Sequence, residues 1–332
     1  MADYQVHSVQ ERHYRLWDDF VAASPQGCFY HTSCWKQIID TGTEYTMRLY
    51  GCFLGGTLVG GCTLTEKVQL GRHAAVNALT TPYAGFLLLP ASGTKISDQT
   101  SHEHAILSAL SRFLEARFHQ ITLYNSPGLA DVRPLTQSGW SAVPCYTYVL
   151  DISEPRRVWE RMDGSVRQAI RKAVKQQFHV GTSTDVDSFY SLLDKTLGRR
   201  RLPNLIPRRL LDTLMHTDSL KDRRFFLTAQ PKSGGLASGI LVLWDQTTAY
   251  YALAATDPAL YGSGIHSLLI WELIQRLSPV VGILDFVGAN IPSIARFKEG
   301  FNPQLKTHYC VEKWRSLLLK WSKRLVRRLR GY

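Results

Sequence analysis

A pattern that recurs at a fixed offset along the chain constrains its fold more than any other feature. Gly139-Trp140 and Gly300-Phe301 are both glycine-aromatic pairs, separated by 300 − 139 = 161 residues. Apolar or aromatic residues recur at the same offset through the preceding and following segments. They are Leu107 and Leu268, Phe113 and Ile274, Leu123 and Leu284, and Tyr148 and Tyr309. This register predicts an internal duplication of a helix, strand, helix, strand unit.

Strand-like runs at the start of each copy support the duplication. Residues 47–54 and 57–66 are β-rich and are separated by Gly55-Gly56, a pair that suits a tight hairpin turn. Residues 224–230 and 237–244 repeat this arrangement across a second glycine-containing turn. We therefore predict the α/β class, with a mixed sheet in each of two tandem domains.

Chain length and a turn signal give the predicted domain boundaries. A chain of 332 residues exceeds the ~250–300 residues at which single cores stop growing. A turn-forming Asp-Ile-Ser-Glu-Pro run begins at Asp151. We predict a first domain over residues 1–153, a second domain with the reactive site over residues 154–312, and a basic amphipathic C-terminal helix over residues 313–332.

The charge distribution predicts anionic partners. The formal net charge is +12, and no acidic residue follows Glu312. Apolar residues recur beyond it at mostly helical spacing, namely Trp314, Leu317, Leu318, Trp321, Leu325 and Leu329. An anionic membrane, tRNA phosphates and the second domain itself are three surfaces that suit this helix, and its two tryptophans favour the membrane. We expect no DNA partner.

The N-terminal sequence predicts the location of the protein. Residues 1–15 alternate polar and charged side chains and lack the apolar core of a secretory signal. No apolar run approaches the ~20 residues that span a bilayer. We expect a cytoplasmic protein, with peripheral binding at the inner face of the membrane as an alternative.

Two motifs in the second copy suit phosphate binding. Gly262 and Gly264 precede a helix, and glycines there let backbone N–H groups approach an anion, although an ordinary turn has the same sequence. Arg167, Arg171 and Lys175 are four residues apart on one helical face, where like charges repel unless an anion neutralises them. We predict Gly262 and Gly264 as donor-binding residues, and Arg167 and Arg171 as ligands of a substrate phosphate between the domains. A solvated face is the alternative for the arginines.

The next strand and helix of the second copy carry the candidate catalytic groups. Lys298 is a cation that suits stabilisation of the oxyanion formed during acyl transfer, and the first copy has Gln137 at the matching position. Asp285 ends a strand and is a candidate acceptor for a proton from an attacking amine. A solvated lysine and a capping carboxylate are the alternative readings.

A nucleophilic side chain is not indicated. The six cysteines include no C-x-x-C pair, and Cys34 lacks an accompanying histidine or asparagine signature. The sequence therefore favours direct attack of an amine on an ester or thioester carbonyl, without a covalent enzyme intermediate.

At these positions the sequence resembles the Fem-like (FemAB) branch of the GNAT acetyltransferase superfamily, over most of the chain. Residues 167–175 look like the family's R-x-x-I-R-K-A-x-K element. Residues 285–290 and 296–301 are similar to the strand and F-K-x-x-F region, and residues 29–35 look like the S-x-x-W opening. The resemblance implies two GNAT-like domains and identifies Lys298 with the lysine of the F-K-x-x-F element.

The resemblance also implies an activity and further substrate contacts. Fem-like proteins transfer an amino acid from aminoacyl-tRNA to the amine of a peptidoglycan precursor, and less characterised relatives use a thioester donor. Lys36 follows the S-x-x-W opening and is a candidate substrate contact. The other predicted substrate-binding residues in this set are Tyr83, Tyr251, Asn290 and Phe297.

We therefore predict an N-acyltransferase that acylates an amine of a cell-envelope precursor, such as a peptidoglycan or polysaccharide intermediate. Aminoacyl-tRNA or acyl-coenzyme A is the expected co-substrate, without a tightly bound cofactor. An acetyl-coenzyme A-dependent GNAT N-acetyltransferase is one alternative. A non-catalytic adaptor that binds membrane or nucleic acid through basic surfaces is the other.

Overall fold

The computed structural model describes residues 3–69, 71–91, 93 and 95–315. The strands are β1 (Tyr4–Ser8), β2 (Thr46–Leu54), β3 (Thr57–Gln69), β4 (Arg72–Val76), β5 (Gly85–Leu88), β6 (Gln120–Tyr124), β7 (Ser141–Asp151), β8 (His179–Thr182), β9 (Arg224–Gln230), β10 (Ser238–Trp244), β11 (Thr248–Thr256), β12 (Ile283–Asp285) and β13 (Gln304–Trp314). The helices are α1 (Tyr14–Ala23), α2 (Ser33–Gly42), α3 (Ile96–Arg117), α4 (Arg133–Gln137), α5 (Pro155–Arg161), α6 (Gly164–Lys175), α7 (Val186–Gly198), α8 (Arg208–His216), α9 (Ile265–Leu277) and α10 (Pro292–Glu299). Both predicted hairpins and the α/β class are confirmed.

The chain divides into two compact units. Of the described residues, the first unit contains 3–40, 45–144 and 308–315, and the second contains Thr41–Glu44 and Cys145–Thr307. In the first unit the strand order is β1-β2-β3-β4-β6-β13, with β5 paired to β3. Helix α3 packs on this sheet through an apolar face that includes Ile106, Leu110 and Leu114.

The second unit has the strand order β7-β12-β11-β10-β9-β8. Its central helix, α9, is apolar over most of its surface, because Leu268, Leu269, Leu273 and Ile274 are all buried in the same core. Burial of each such side chain stabilises a fold by about 1.5–3 kcal/mol, so α9 is held firmly on the sheet. This matters for function because the first turn of α9 faces the candidate site.

The last strand of each repeat pairs with a strand of the other repeat. β7, from the first repeat, pairs antiparallel with β12, and β13, from the second repeat, pairs antiparallel with β6. The compact units therefore divide the chain at 144/145 and 307/308, whereas the predicted domains divide it at 153/154 and 312/313. An offset in the sequence identifies equivalent strands but carries no information about the sheet that each strand joins.

The predicted C-terminal helix does not begin at residue 313. Lys313 and Trp314 belong to β13 and pair with Ile121 and Gln120, so this stretch is extended. Residues 316–332, which contain the rest of the predicted helix, lie outside the described residues. Among the described helices, none combines the length and apolar character that a membrane crossing requires.

Candidate active site

An opening between two parallel strands lies at the centre of the second unit. β12 pairs with β11 only across Thr248–Tyr250, whereas β11 continues to Thr256 and pairs with β10 from Ala249 to Thr256, interrupted by one β-bulge at Ala252. On the open side, the backbone N–H and C=O of Thr256 contact the Thr196 hydroxyl at 3.3 and 3.1 Å. Because backbone groups alternate along a strand, Ala254 presents its N–H and C=O to the same side. The described residues give Ala254 no hydrogen-bond partner there.

The equivalent place in the first unit is closed by a side chain. β4 and β6 are also parallel and pair only as far as Val76 and Thr122. The side chain of Asn77 then bridges the gap, since Nδ2 donates to the carbonyl oxygens of Thr81 and Tyr124, and Oδ1 accepts from the Tyr124 N–H. The second unit therefore offers an open strand edge that the first unit does not.

Lys298 holds the loop that follows β12. Its ammonium donates to the carbonyl oxygens of Phe286 and Gly288, both at 2.7 Å, and of Val287 at 3.3 Å. A lysine has three N–H donors, so these carbonyls account for all of them. The side chain is buried. Burial lowers the pKa of Lys298 to about 8, and the nearby carboxylate of Asp285 acts in the opposite direction.

Asp285 holds the same loop from its other side. Its Oδ1 accepts from the Thr147 hydroxyl at 2.6 Å and from the Val287 N–H at 2.7 Å. The Thr147 hydroxyl oxygen also accepts from the Gly288 N–H at 3.1 Å. The two predicted catalytic residues thus bind the carbonyl and N–H groups, respectively, of one short loop at the end of β12.

The loop itself is strained at a β-branched residue. Val287 has φ 51° and Gly288 has φ 88°, so both lie in the left-handed region. Glycine adopts this conformation freely, whereas a valine there costs about 1–3 kcal/mol. The contacts of Lys298, Asp285 and Thr147 offset that cost and keep a single backbone arrangement beside the strand opening.

A partly buried histidine that the sequence interpretation missed lies beside this loop. Nε2 of His266, in the first turn of α9, is hydrogen-bonded to the Tyr251 hydroxyl. Its Nδ1 lies 3.0 Å from Ser238 Oγ and 2.9 Å from Thr256 Oγ1. Burial, followed by the charge of Lys298, lowers the pKa of His266 to about 4. A single histidine on an apolar helix matches no sequence motif. Its hydrogen-bond partner Tyr251, itself a predicted substrate contact, is the one residue that could have drawn attention to His266.

Three predicted substrate contacts lie around this cluster. The Lys298 ammonium is 5.8 Å from the centre of the Tyr251 ring, a cation–π distance. The Phe297 ring centre is 5.7 Å from that of His266. Asn290 is exposed, and its side-chain amide pairs with the backbone of Tyr146. The structure therefore brings Tyr251, Phe297 and Lys298 together, while Asn290 bonds to β7, the strand that pairs with β12.

The two predicted donor-binding glycines lie just before α9. Gly264 has φ 82°, and a Cβ there would lie 2.1 Å from the carbonyl oxygen of Ala169, so the start of α9 packs closely on α6. Gly262 is unobstructed, and its carbonyl oxygen accepts a hydrogen bond of 2.8 Å from Lys172. The guanidinium of Arg199 lies 4.6 Å from the ring centre of Tyr261. Two cations thus flank a helix N-terminus at the end of β11.

The two predicted phosphate-binding arginines have different surroundings. Arg167 Nη1 donates to the carbonyl oxygens of Trp159 and Glu160 at 3.0 Å and to that of Met162, and so caps the end of α5. Arg171 is exposed, and its guanidinium lies 5.7 Å from the Trp159 ring centre. A structural cap accounts for Arg167, and only Arg171 has an exposed charge that suits an anion.

Two predicted substrate contacts belong to the first unit. Lys36 forms an i,i+4 ion pair with Asp40 within α2. Tyr83 is buried among aromatic rings, with its ring centre 5.4 Å from that of His308. Both residues belong to the first unit, and the cluster around Lys298 belongs to the second.

Comparison with known proteins identifies the domain that contains this cluster. Residues 161–299 match the family model "Acetyltransferase (GNAT) domain" (Acetyltransf_6). No curated protein sequence matches the chain.

Solved structures share the fold across both units. The structure of FemX is similar with a TM-score of 0.67 at 11% identity, covering 92% of this chain and 96% of that one. A tandem GNAT protein from the clavulanic acid biosynthesis pathway has a TM-score of 0.55 at 14% identity, with coverages of 93% and 98%. L-PGS from Bacillus licheniformis has a TM-score of 0.50 at 13% identity, with coverages of 82% and 87%. Residues 161–299 therefore match a GNAT acetyltransferase domain, which identifies the chain as an acyltransferase, and its two units share the fold of FemX and of a tandem GNAT protein.

Proposed function

We propose that the second unit binds an acyl-coenzyme A along the open edge of β11 and transfers its acyl group to an amine of a cell-envelope precursor. The observation that carries this proposal is the unpaired backbone of Ala254 on a strand that is followed by a short 3₁₀ helix, Pro258–Ser263, and then by α9. An extended arm with amide groups can add to such an edge through main-chain hydrogen bonds. Coenzyme A has an arm of this kind, and GNAT domains use acyl-coenzyme A as co-substrate.

The surroundings of α9 suit the phosphates of this donor. A helix N-terminus attracts anions through its N–H groups and its dipole. Lys172 and Arg199 lie on either side of the segment that precedes α9, and both are exposed. An arm that pairs with β11 and runs toward α9 would bring its pyrophosphate to these cations.

The chemistry is direct aminolysis of the thioester. The amine nitrogen forms a bond to the acyl carbon, the carbon–sulfur bond breaks, and one amine proton is transferred as coenzyme A leaves as its thiol. This route needs orientation and a fixed electrostatic environment, and no covalent enzyme intermediate. Lys298 supplies a buried positive charge beside the opening while it anchors the 286–288 loop.

The acceptor class rests on the Fem-like fold. The likeness to FemX over both units favours a cell-envelope precursor, a peptidoglycan or polysaccharide intermediate with a primary amine.

Isotope-labelled acetyl-coenzyme A and an extract of envelope precursors test the proposal. We expect release of the coenzyme A thiol that depends on an amine acceptor, and one precursor that gains the mass of the acyl group. Release that does not require an amine, or transfer only from charged tRNA, would overturn it.

A second candidate donor is aminoacyl-tRNA. The net charge of +12 and the exposed lysines and arginines of α6 favour a large polyanion, and the Fem-like resemblance implies this donor. The same assay with charged tRNA distinguishes the two donors, because this candidate predicts aminoacyl transfer that coenzyme A does not inhibit.

A further inference from the structure

A chain of hydrogen bonds runs from the end of β11 to the strand opening. Ser238 Oγ donates to the carbonyl oxygen of Ala255 at 3.3 Å and lies 2.7 Å from Thr256 Oγ1. Both hydroxyl oxygens are near His266 Nδ1, and His266 Nε2 is bonded to the Tyr251 hydroxyl. No predicted catalytic role uses His266, Ser238 or Thr256.

Burial, followed by the charge of Lys298, lowers the pKa of His266 and keeps its ring neutral. Lys298, on α10, is the cation whose charge acts on the ring, and its own counter-charge is Asp285 on β12. Tyr251 and Thr256 from β11 and Ser238 from β10 are the polar groups that contact the ring. A neutral imidazole carries one N–H, so one ring nitrogen donates and the other accepts.

The carbonyl oxygen of Ala255 sets the direction of these hydrogen bonds. A carbonyl oxygen only accepts, so the Ser238 hydroxyl proton is directed at Ala255. The Thr256 hydroxyl then donates to Ser238 Oγ, and the N–H on His266 Nδ1 donates to the two hydroxyl oxygens. Nε2 is left as an acceptor for the Tyr251 hydroxyl. This assignment uses all five contacts, whereas a proton on Nε2 leaves only the hydroxyl hydrogens of Ser238 and Thr256 for the other four contacts.

We infer that the Tyr251 oxygen, with its proton committed to His266, accepts a hydrogen bond from the attacking amine and orients it toward the acyl carbon. The inference rests on acyl transfer in the second unit, but not on the identity of the donor. Tyr251 begins the part of β11 that β12 leaves unpaired, and its side chain is only partly buried. His266 acts through Tyr251 and is a positioning residue.

Lys298 lies close enough to Tyr251 to favour a neutral amine there. The Lys298 ammonium lies 5.8 Å from the Tyr251 ring centre, and a positive charge at this range disfavours a protonated amine. The site therefore selects the neutral amine, which is the nucleophilic form. Burial raises the pKa of Tyr251, so the phenol keeps its proton and acts as an acceptor rather than as a base.

The histidine tautomer tests the hydrogen-bond direction without any substrate. Long-range ¹⁵N–¹H spectra of wild-type protein labelled at histidine distinguish the two neutral tautomers, and the signal missing from His266→Gln identifies His266. We expect the proton on Nδ1. A proton on Nε2 would overturn the inference.

A double-mutant cycle tests the role in catalysis, with whichever acyl donor supports turnover. Tyr251→Phe should raise the KM of the amine or lower kcat by about tenfold, the value of one hydrogen bond, and leave the donor KM unchanged. His266→Gln should have a similar effect alone and no further effect in the Tyr251→Phe background, because His266 acts through the hydroxyl. A full additional loss in that background would mean that His266 is merely structural or acts elsewhere. An unchanged amine KM and kcat in Tyr251→Phe would also overturn the inference.

Discussion

The Thr147 hydroxyl, on β7, donates a hydrogen bond of 2.6 Å to the carboxylate of Asp285 at the end of β12. Thr147→Val removes this donor and the acceptor for the Gly288 N–H while it keeps the side-chain shape. We expect the free energy of unfolding to fall by ~1–3 kcal/mol, measured by urea denaturation.

The same contact gives Asp285 a supporting role, which Asp285→Asn tests. An asparagine keeps Oδ1 as an acceptor for Thr147 and Val287, so we expect kcat to fall less than about tenfold. A general base would contribute ~10²–10⁴-fold. A loss in that range, with the stability of Asp285→Asn unchanged, would restore Asp285 as the proton acceptor.

Lys298 should impose an alkaline limit on the reaction. Its pKa is lowered to about 8, so the protonated form that binds three loop carbonyls is lost as pH rises through that value. We expect kcat to fall above pH 8, and Lys298→Met to lose roughly 10²-fold in kcat, with no alkaline limit at pH 8 in its residual activity. Steady-state rates over pH 6–10 measure both. A pH profile shared by both proteins would assign the limit to another group.

Arg167 and Arg171 should respond differently to replacement. Arg167→Ala leaves three carbonyl groups at the end of α5 without their donor, so we expect a loss of ~1–3 kcal/mol in the free energy of unfolding. Arg171→Ala, at an exposed position, should change stability by less than ~0.5 kcal/mol and raise the KM of the acceptor substrate in a manner that high salt suppresses. Equal effects of the two variants on the acceptor KM, without loss of stability, would return both arginines to a shared phosphate site.

The two glycines before α9 form a matched pair for mutation. Gly264→Ala places a Cβ 2.1 Å from the Ala169 carbonyl oxygen at φ 82°, so it should lower the melting temperature and weaken donor binding together. Gly262→Ala meets nothing within 4 Å and should be neutral in thermal unfolding. A Gly264→Ala protein as stable as Gly262→Ala would contradict the close packing of α6 and α9.

The fold was largely predictable because the repeat and the hairpin glycines are local signals. Gly55-Gly56 marked the first hairpin, and the 161-residue offset located the helices and strands that precede each glycine-aromatic pair. The exchange of β7 and β13 was not predictable, since strand pairing depends on tertiary contacts. Likewise, the spacing of Arg167 and Arg171 could not distinguish a helix cap from an anion ligand, because an arginine at a helical spacing suits either role.

Parts of the site were predictable for a different reason. Asp285 was predicted from its place at the end of a strand, and Lys298 from its place in the following helix. Their contacts with the 286–288 loop depend on the left-handed conformation of Val287. A valine gives no sequence signal for that conformation. His266 was missed because its partners Ser238, Tyr251 and Thr256 lie on two other elements.

Hydrogen–deuterium exchange of the second unit, with and without coenzyme A, tests the central claim most directly. If the donor pairs with the open edge of β11, the amides of residues 252–256 and of the first turn of α9 should exchange more slowly in its presence. Residues 74–78, at the place that Asn77 closes in the first unit, should be unaffected and serve as an internal control. Protection of residues 74–78 with no change along β11 would contradict the assignment of the donor site to the second unit.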